Sequence, residues 1–158
     1  MTTDEILIRF KKLQDQAELP KWMSKGAMGC DLSACIVNEN NRPGTTILSP
    51  RSTRAISTGL AIEPPEFNVE GWTVMLLSRS GLALNSVFVA NAPGLIDPDY
   101  RGELKVLLYN GGFETQYVKH HDRIAQLVLF RTAWPQLREV DILTTTERGT
   151  KGFGSTGT

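Results

Sequence analysis

An all-β sandwich or barrel is the fold this sequence predicts, and three observations carry that expectation. Apolar runs of strand length recur about every 10–15 residues, with turn formers between them. No long segment spaces its apolar residues at helical period. Proline and glycine gather in the intervals, as at Pro64-Pro65 and Pro93-Gly94, where they stop one run before the next begins. A length of 158 residues with 41% hydrophobic content suits one domain with a real core.

Taken in order, residues 5–13 set Ile6, Ile8 and Phe10 on one face and Arg9 and Lys11 on the other, the period of a strand. Residues 14–26 are polar and hold Pro20 and Gly26, so they form a loop. Residues 27–36 mix small residues with Asp31, an acid in an apolar neighbourhood. Asn38 to Gly44 is a turn, and Ile47-Leu48 and Arg54 to Ile62 are β-like. Pro64-Pro65-Glu66-Phe67-Asn68 breaks the chain again. Trp72 to Leu77 is strongly apolar β, and Gly81 to Asn85 suits one short helical turn. Val87 to Ala90 and Leu104 to Tyr109 flank a bent hairpin dense in turn formers. Ile124 to Phe130 is the last clear core strand, followed by Gln136 to Ile142. Residues 144–158 have almost nothing to bury except Phe153, so by composition this ending is mobile in the free protein.

The totals exclude several classes of function. Lysine plus arginine number 17 and aspartate plus glutamate also 17, so no global charge draws the chain to nucleic acid or an anionic membrane. No apolar run approaches the roughly 20 residues of a membrane span, and the acidic start Met1-Thr2-Thr3-Asp4-Glu5 is not a secretory leader. Cys30 and Cys35 are too few for a disulfide framework and match neither a redox pair nor a zinc spacing, which fits a reducing, cytoplasmic setting.

Chemistry concentrates at the hairpin tip, Gly94 to Leu104. Turn geometry explains its prolines and glycines but does not require Asp97, Asp99, Tyr100 and Arg101 there. A carboxylate fixed by a rigid hairpin can orient and deprotonate a water, and an aromatic ring three residues on can pack against a flat or sugar-like ligand. Arg79, Ser80 and Gly81 follow an apolar strand and form either a surface ion pair or an anion-binding cluster. Asp31 reads as a hydrogen-bond hub or as the holder of a metal-bound water. His120 and His121 lack a ligand set around them and read as a solvated turn. Gly152 to Gly157 matches GxGxxG in letters only, since no helix can follow it. Its amides and hydroxyls, with Arg148, are still the groups that wrap a phosphate chain.

These pieces occur in a fixed order: Ala27-x-Gly29-x-Asp31-Leu32-x-Ala34; Arg79-Ser80-Gly81-Leu82-Ala83; Gly94-Leu95-Ile96-Asp97-x-Asp99-Tyr100-Arg101-Gly102-Glu103; Asp122-Arg123-Ile124-Ala125-Gln126-Leu127; and Arg148-Gly149-x-x-Gly152-Phe153-Gly154-Ser155-Thr156-Gly157. Together they closely resemble the five motifs of the trimeric dUTPases, over roughly residues 5–158. The resemblance implies a distorted antiparallel β jelly-roll or barrel with at most one short helix. It divides the chain into a body over 1–146 and a flexible glycine-rich arm over 147–158 that closes on a neighbouring subunit. It implies a homotrimer whose active sites are shared: the first, second and fourth motifs from one chain, the third from another, the arm from the last.

The implied activity is hydrolysis of dUTP to dUMP and pyrophosphate by Mg²⁺-assisted attack of water on the α-phosphorus, which removes dUTP and supplies dUMP for dTMP synthesis. By position, Asp97 is the carboxylate that activates the water, and Tyr100 is the ring beneath the deoxyribose that leaves no room for a 2′-hydroxyl. Asn91, Gly94 and the backbone of Leu95, Ile96 and Asp97 read the uracil edge, and Lys105 touches the nucleotide through its main chain. Arg79, Ser80, Gly81 and Gln126 are phosphate contacts. From the arm, Arg148, Gly154, Ser155 and Thr156 hold the outer phosphates while Phe153 stacks on the base. Asp31 holds a water of the Mg²⁺ shell.

Ser78, His121 and Lys151 depart from common family residues without removing a chemical group. Residues 65–71 form a longer connection than usual, a surface loop or a protein-binding one. Two other readings share the sequence: a dCTP deaminase-like enzyme of the same fold, and a nucleotide-gated regulatory binding protein.

Overall fold

The computed structural model describes residues 6–65 and 71–152. Its regular structure is ten strands and one short helix: β1 (Arg9–Lys12), β2 (Cys30–Ser33), β3 (Thr45–Leu48), β4 (Thr53–Glu63), β5 (Trp72–Leu77), α1 (Ser80–Ala83), β6 (Val87–Val89), β7 (Gly94–Ile96), β8 (Glu103–Asn110), β9 (Gln116–Lys119) and β10 (Arg123–Arg131). They form two four-stranded sheets, in the orders β1-β4-β8-β6 and β2-β10-β5-β7, with a β3-β9 ribbon. Every pairing is antiparallel. The all-β expectation holds.

Alternation explains the faces. Along β8, Leu104, Val106, Leu108 and Asn110 point inward, while Lys105, Leu107 and Tyr109 lie between them and are less buried. The core joins that sheet's Leu60, Ile62, Leu104, Val106 and Leu108 to Leu32, Val74, Leu76, Ala125 and Leu127 of the other. Each fully buried leucine or valine contributes roughly 1.5–3 kcal/mol of transfer free energy. β4 is interrupted: its pairing with β8 slips between Ser57 and Ala61. Gly59 lies in this gap at φ +65°, and a Cβ there would come within 3.0 Å of Ala17, Gln14 and the Cys35 thiol. The opening lets Gly59 O accept the Leu13 N–H at 2.7 Å, which ties the first loop to the body.

The expected bent hairpin forms, because β6 pairs with β8 through Val87↔Asn110, Phe88↔Tyr109 and Val89↔Leu108. Its tip does more than turn. Gly94–Ile96 leaves the hairpin's own sheet and pairs with β5 of the other as Leu76↔Gly94, Met75↔Leu95 and Val74↔Ile96. The tip therefore bridges both sheets.

Several boundaries differ from expectation. The first strand is shorter, Arg9–Lys12; Ile8 and Phe10 pack on the core but Ile6 remains 40% exposed. β9 was not anticipated, since Val118 is its one buried apolar residue and leaves no periodic signal. The helical turn is α1, Ser80–Ala83, which starts and ends earlier than the expected Gly81 to Asn85. Residues 136–142 form no strand in the single chain; Leu137, Val140 and Ile142 are exposed there. His120 and His121 occupy a turn, but not a merely solvated one: the His120 Nδ1 accepts the Ile36 N–H at 3.0 Å, and the two rings stack at 3.7 Å.

Candidate functional site

The first group of predicted residues meets on the β2-β10-β5 face. Asp31 on β2 is 5% exposed, opposite Gln126 on β10. Its Oδ2 lies 3.2 Å from Arg79 Nη2 and 3.0 Å from Arg123 Nη1, and its Oδ1 accepts Gln126 Nε2–H at 3.3 Å. Arg79 continues from β5 in extended conformation and also donates to the Arg123 carbonyl at 2.9 Å. Its Nε is buried with no partner among the described residues. Asp31 is thus a hub that fixes two guanidiniums side by side, and Ser80 and Gly81 follow Arg79 directly at the start of α1. The register slip between Arg123 and Ala125 brings Arg123 to the same carboxylate as Gln126. Arg123 has the geometry of a site residue that sequence reasoning did not assign; only its place beside Gln126 in the fourth motif pointed to it.

The second group lines a cavity of about 260 Å³ bounded by Leu95, Ile96, Asp97, Tyr100, Glu103, Leu104 and Lys105. Asp97 is exposed at its rim and makes no ion pair among the described residues. Its carbonyl accepts the Tyr100 N–H at 3.0 Å, closing the tip. The Arg101 guanidinium donates to Pro98 O at 2.7 Å and Tyr100 O at 2.9 Å, which staples the tip further. The Tyr100 hydroxyl donates to Glu103 O at 2.7 Å. Asn91 does not line the cavity; its side chain packs on Gly94, where a Cβ would come 3.3 Å from Nδ2.

The two groups are not brought together in one chain. The pairing of β5 with β7 carries Asp97 beyond Val74, whereas Arg79 lies beyond Leu77 at the other end of β5. At about 3.3 Å per residue, that places them on the order of 20 Å apart along the strand. Arg148 is exposed in the segment after β10, and its carbonyl accepts the Lys151 N–H at 3.3 Å. Phe153, Gly154, Ser155 and Thr156, and most of the 65–71 loop, lie outside the described residues.

The residues present fit a water-held metal better than a protein cage. A carboxylate offers about four acceptor positions, and three of those on Asp31 are taken by Arg79, Arg123 and Gln126. The remaining one on Oδ1 would be the acceptor for a metal-bound water. Among the described residues no cluster of three or more His, Cys, Asp or Glu could ligate an ion; Mg²⁺ commonly takes its ligands from waters and substrate phosphates.

The fold and these two half-sites define an all-β protein that presents a fixed arginine pair and a small carboxylate-rimmed cavity on separate edges. A dUTPase family model matches residues 15–157, and the chain belongs to that family. It is 40% identical over 156 residues to the deoxyuridine 5′-triphosphate nucleotidohydrolase of Thermoanaerobacter sp. (strain X514), covering 96% of this chain and 98% of that one. It is 43% identical over 151 residues to the enzyme of that name from Wolinella succinogenes, covering 95% and 93%. Among solved structures, the G164S dUTPase of Staphylococcus bacteriophage 80alpha with dUpNHpp superposes with a TM-score of 0.79 at 26% identity, over 96% of this chain and 99% of that one. Among the described residues no helix is long and apolar enough to cross a membrane.

Proposed function

We propose that this chain is a dUTP diphosphatase, releasing dUMP and pyrophosphate, and that it works as a homotrimer with shared sites. The observation that carries the reading is the division of the site: the arginine pair and the Asp97–Tyr100 cavity are each well formed, yet stand at opposite ends of β5. Neither half alone can bind a whole nucleoside triphosphate and cleave it. A second copy can supply the missing half, and the arm from residue 147 onward a third part.

Each residue then has a task. Asp97, exposed and unpaired by cations among the described residues, is free to take a proton from the attacking water. Tyr100 lies beneath the deoxyribose. Asn91, Gly94 and the main chain of Leu95, Ile96 and Asp97 read the uracil edge, and Lys105 meets the nucleotide from β8. Arg79, Ser80, Gly81 and Gln126 contact phosphate. A triphosphate brings about four negative charges, and a chain with formal net charge +0 must gather its cations where that charge sits. Asp31 preorganises Arg79 and Arg123, which removes the reorganisation that free side chains would need. When bound, Mg²⁺ offsets charge on the phosphate oxygens, and Asp31 holds it through water. Arg148, Phe153, Gly154, Ser155 and Thr156 close the arm over the nucleotide and exclude bulk water.

The test offers dUTP and dCTP side by side and measures pyrophosphate and ammonia. Pyrophosphate from dUTP is expected; ammonia from dCTP with none would assign the deaminase reaction instead. Asp97→Asn should keep the fold and nucleotide binding while lowering turnover by about 10²-fold or more. Near-normal turnover would remove Asp97 from the role of base.

A further inference from the structure

Glu103 has no task in the proposal above, yet four contacts converge on it. Its carboxylate accepts the Ser57 hydroxyl and, at 3.0 Å, the Gly59 N–H. Lys105 Nζ lies 3.6 Å from Oε2, and the Glu103 carbonyl accepts the Tyr100 hydroxyl at 2.7 Å. Ser57 and Gly59 belong to the stretch where the β4–β8 ladder slips. The Glu103 carboxylate fills that gap and anchors the start of β8 where regular pairing is lost. From the other side the Tyr100 ring rests on Gly102: a Cβ there would meet its hydroxyl at 2.6 Å, Cζ at 2.8 Å and Cε2 at 3.0 Å.

We propose that Glu103 and Gly102 are positioning residues that determine sugar specificity. Gly102 lets the Tyr100 ring lie flat, and Glu103, locked to β4, holds the carbonyl that fixes the ring's far end. The inference rests on the placement of Tyr100 beneath the deoxyribose given above. A ribose hydroxyl would be rejected there by crowding and not by a lost hydrogen bond. Contact energies change steeply over a fraction of an ångström. A ring free to tilt therefore gives back much of the discrimination.

The experiment compares kcat/KM for dUTP and UTP in the wild type, Gly102→Ala, Glu103→Ala and Glu103→Gln, with thermal unfolding as a check on folding. The dUTP/UTP ratio is expected to fall about tenfold in Gly102→Ala and Glu103→Ala. Glu103→Gln, which keeps an acceptor for the Gly59 N–H, should restore a ratio near wild type. Gly102 is exposed, so its variant keeps the test open where Glu103→Ala unfolds. Equal losses on both substrates, with an unchanged ratio, would make both residues merely structural and overturn the inference. If the wild type itself turns over neither nucleotide, the functional reading fails and this inference with it. If the wild type discriminates and the folded variants discriminate as well, only the inference fails.

Discussion

Asn110 is fully buried, and its whole amide is engaged. Nδ2 donates to Leu48 O at 3.0 Å and Glu114 O at 2.8 Å, and Oδ1 accepts the Gly112 N–H at 3.0 Å. One side chain thereby joins β3, β8 and the loop that leads to β9. Asn110→Leu would leave the buried Leu48 carbonyl without its partner and give the Gly112 and Glu114 groups to water, so it should destabilise the fold by about 2 kcal/mol. A denaturant titration should show a lower midpoint with an unchanged slope. Nothing in the sequence marked Asn110, because its value lies in the distant Leu48 carbonyl and the following loop that fold back onto it. Asp97, Tyr100 and Arg79 could be singled out from motif order and residue type alone. Arg123 and Glu103 sat inside the same motifs, but their contacts depend on a register slip in β10 and another in β4. A slip changes which side chains share a face and leaves no mark in composition.

Among the elements, the turn between β9 and β10 has the clearest response to pH. His120 Nδ1 accepts the Ile36 N–H, so in the folded chain the ring's proton belongs on Nε2, which is buried with no partner among the described residues. Burial first, and the neighbouring His121 second, push the His120 pKa below its ordinary value, while Glu18 opposes them. His121 itself lies at φ +66°, with Nε2 2.9 Å from Gln16 O, and Glu18 is held by Lys21 at 2.8 Å. Lys119 and Asp122 complete the turn, the Asp122 carboxylate accepting the Lys119 N–H. Below about pH 6.5 the unfolded chain binds a proton at His120 that the folded one refuses, so stability falls with acidification from there down to the lowered pKa. The melting temperature should therefore drop more between about pH 7.5 and 5.5 in the wild type than in His120→Asn, whose amide oxygen can replace Nδ1. Equal drops would exclude His120 as the source. Strong apolar runs such as β5, β8 and β10 were readable because they are buried along one or both faces. β9 and the shift of β7 into the second sheet were not, since three or four residues with one buried side chain carry no period.

For the whole molecule the central fact is distance. Asp97 and Arg79 stand on the order of 20 Å apart along one chain, so if sites are shared as proposed, inactive variants should complement each other. Asp97→Asn and Arg79→Ala, each nearly inactive alone, should recover about a quarter of wild-type activity when co-assembled at equal amounts, the share of sites that random association leaves intact. No recovery would place both groups in a single chain's site. The exposed run after β10, with Leu137, Ile142 and Leu143 each at least 80% exposed, is the part of the body a neighbour has most reason to cover. Gly94–Ile96 has the last word on how such a protein can change. Leu95 and Ile96 are at once a wall of the cavity and, with Gly94, the outer edge of the second sheet. Retuning what the cavity admits means altering a seam between the two layers, so a new preference can arise only through changes that the joint itself survives.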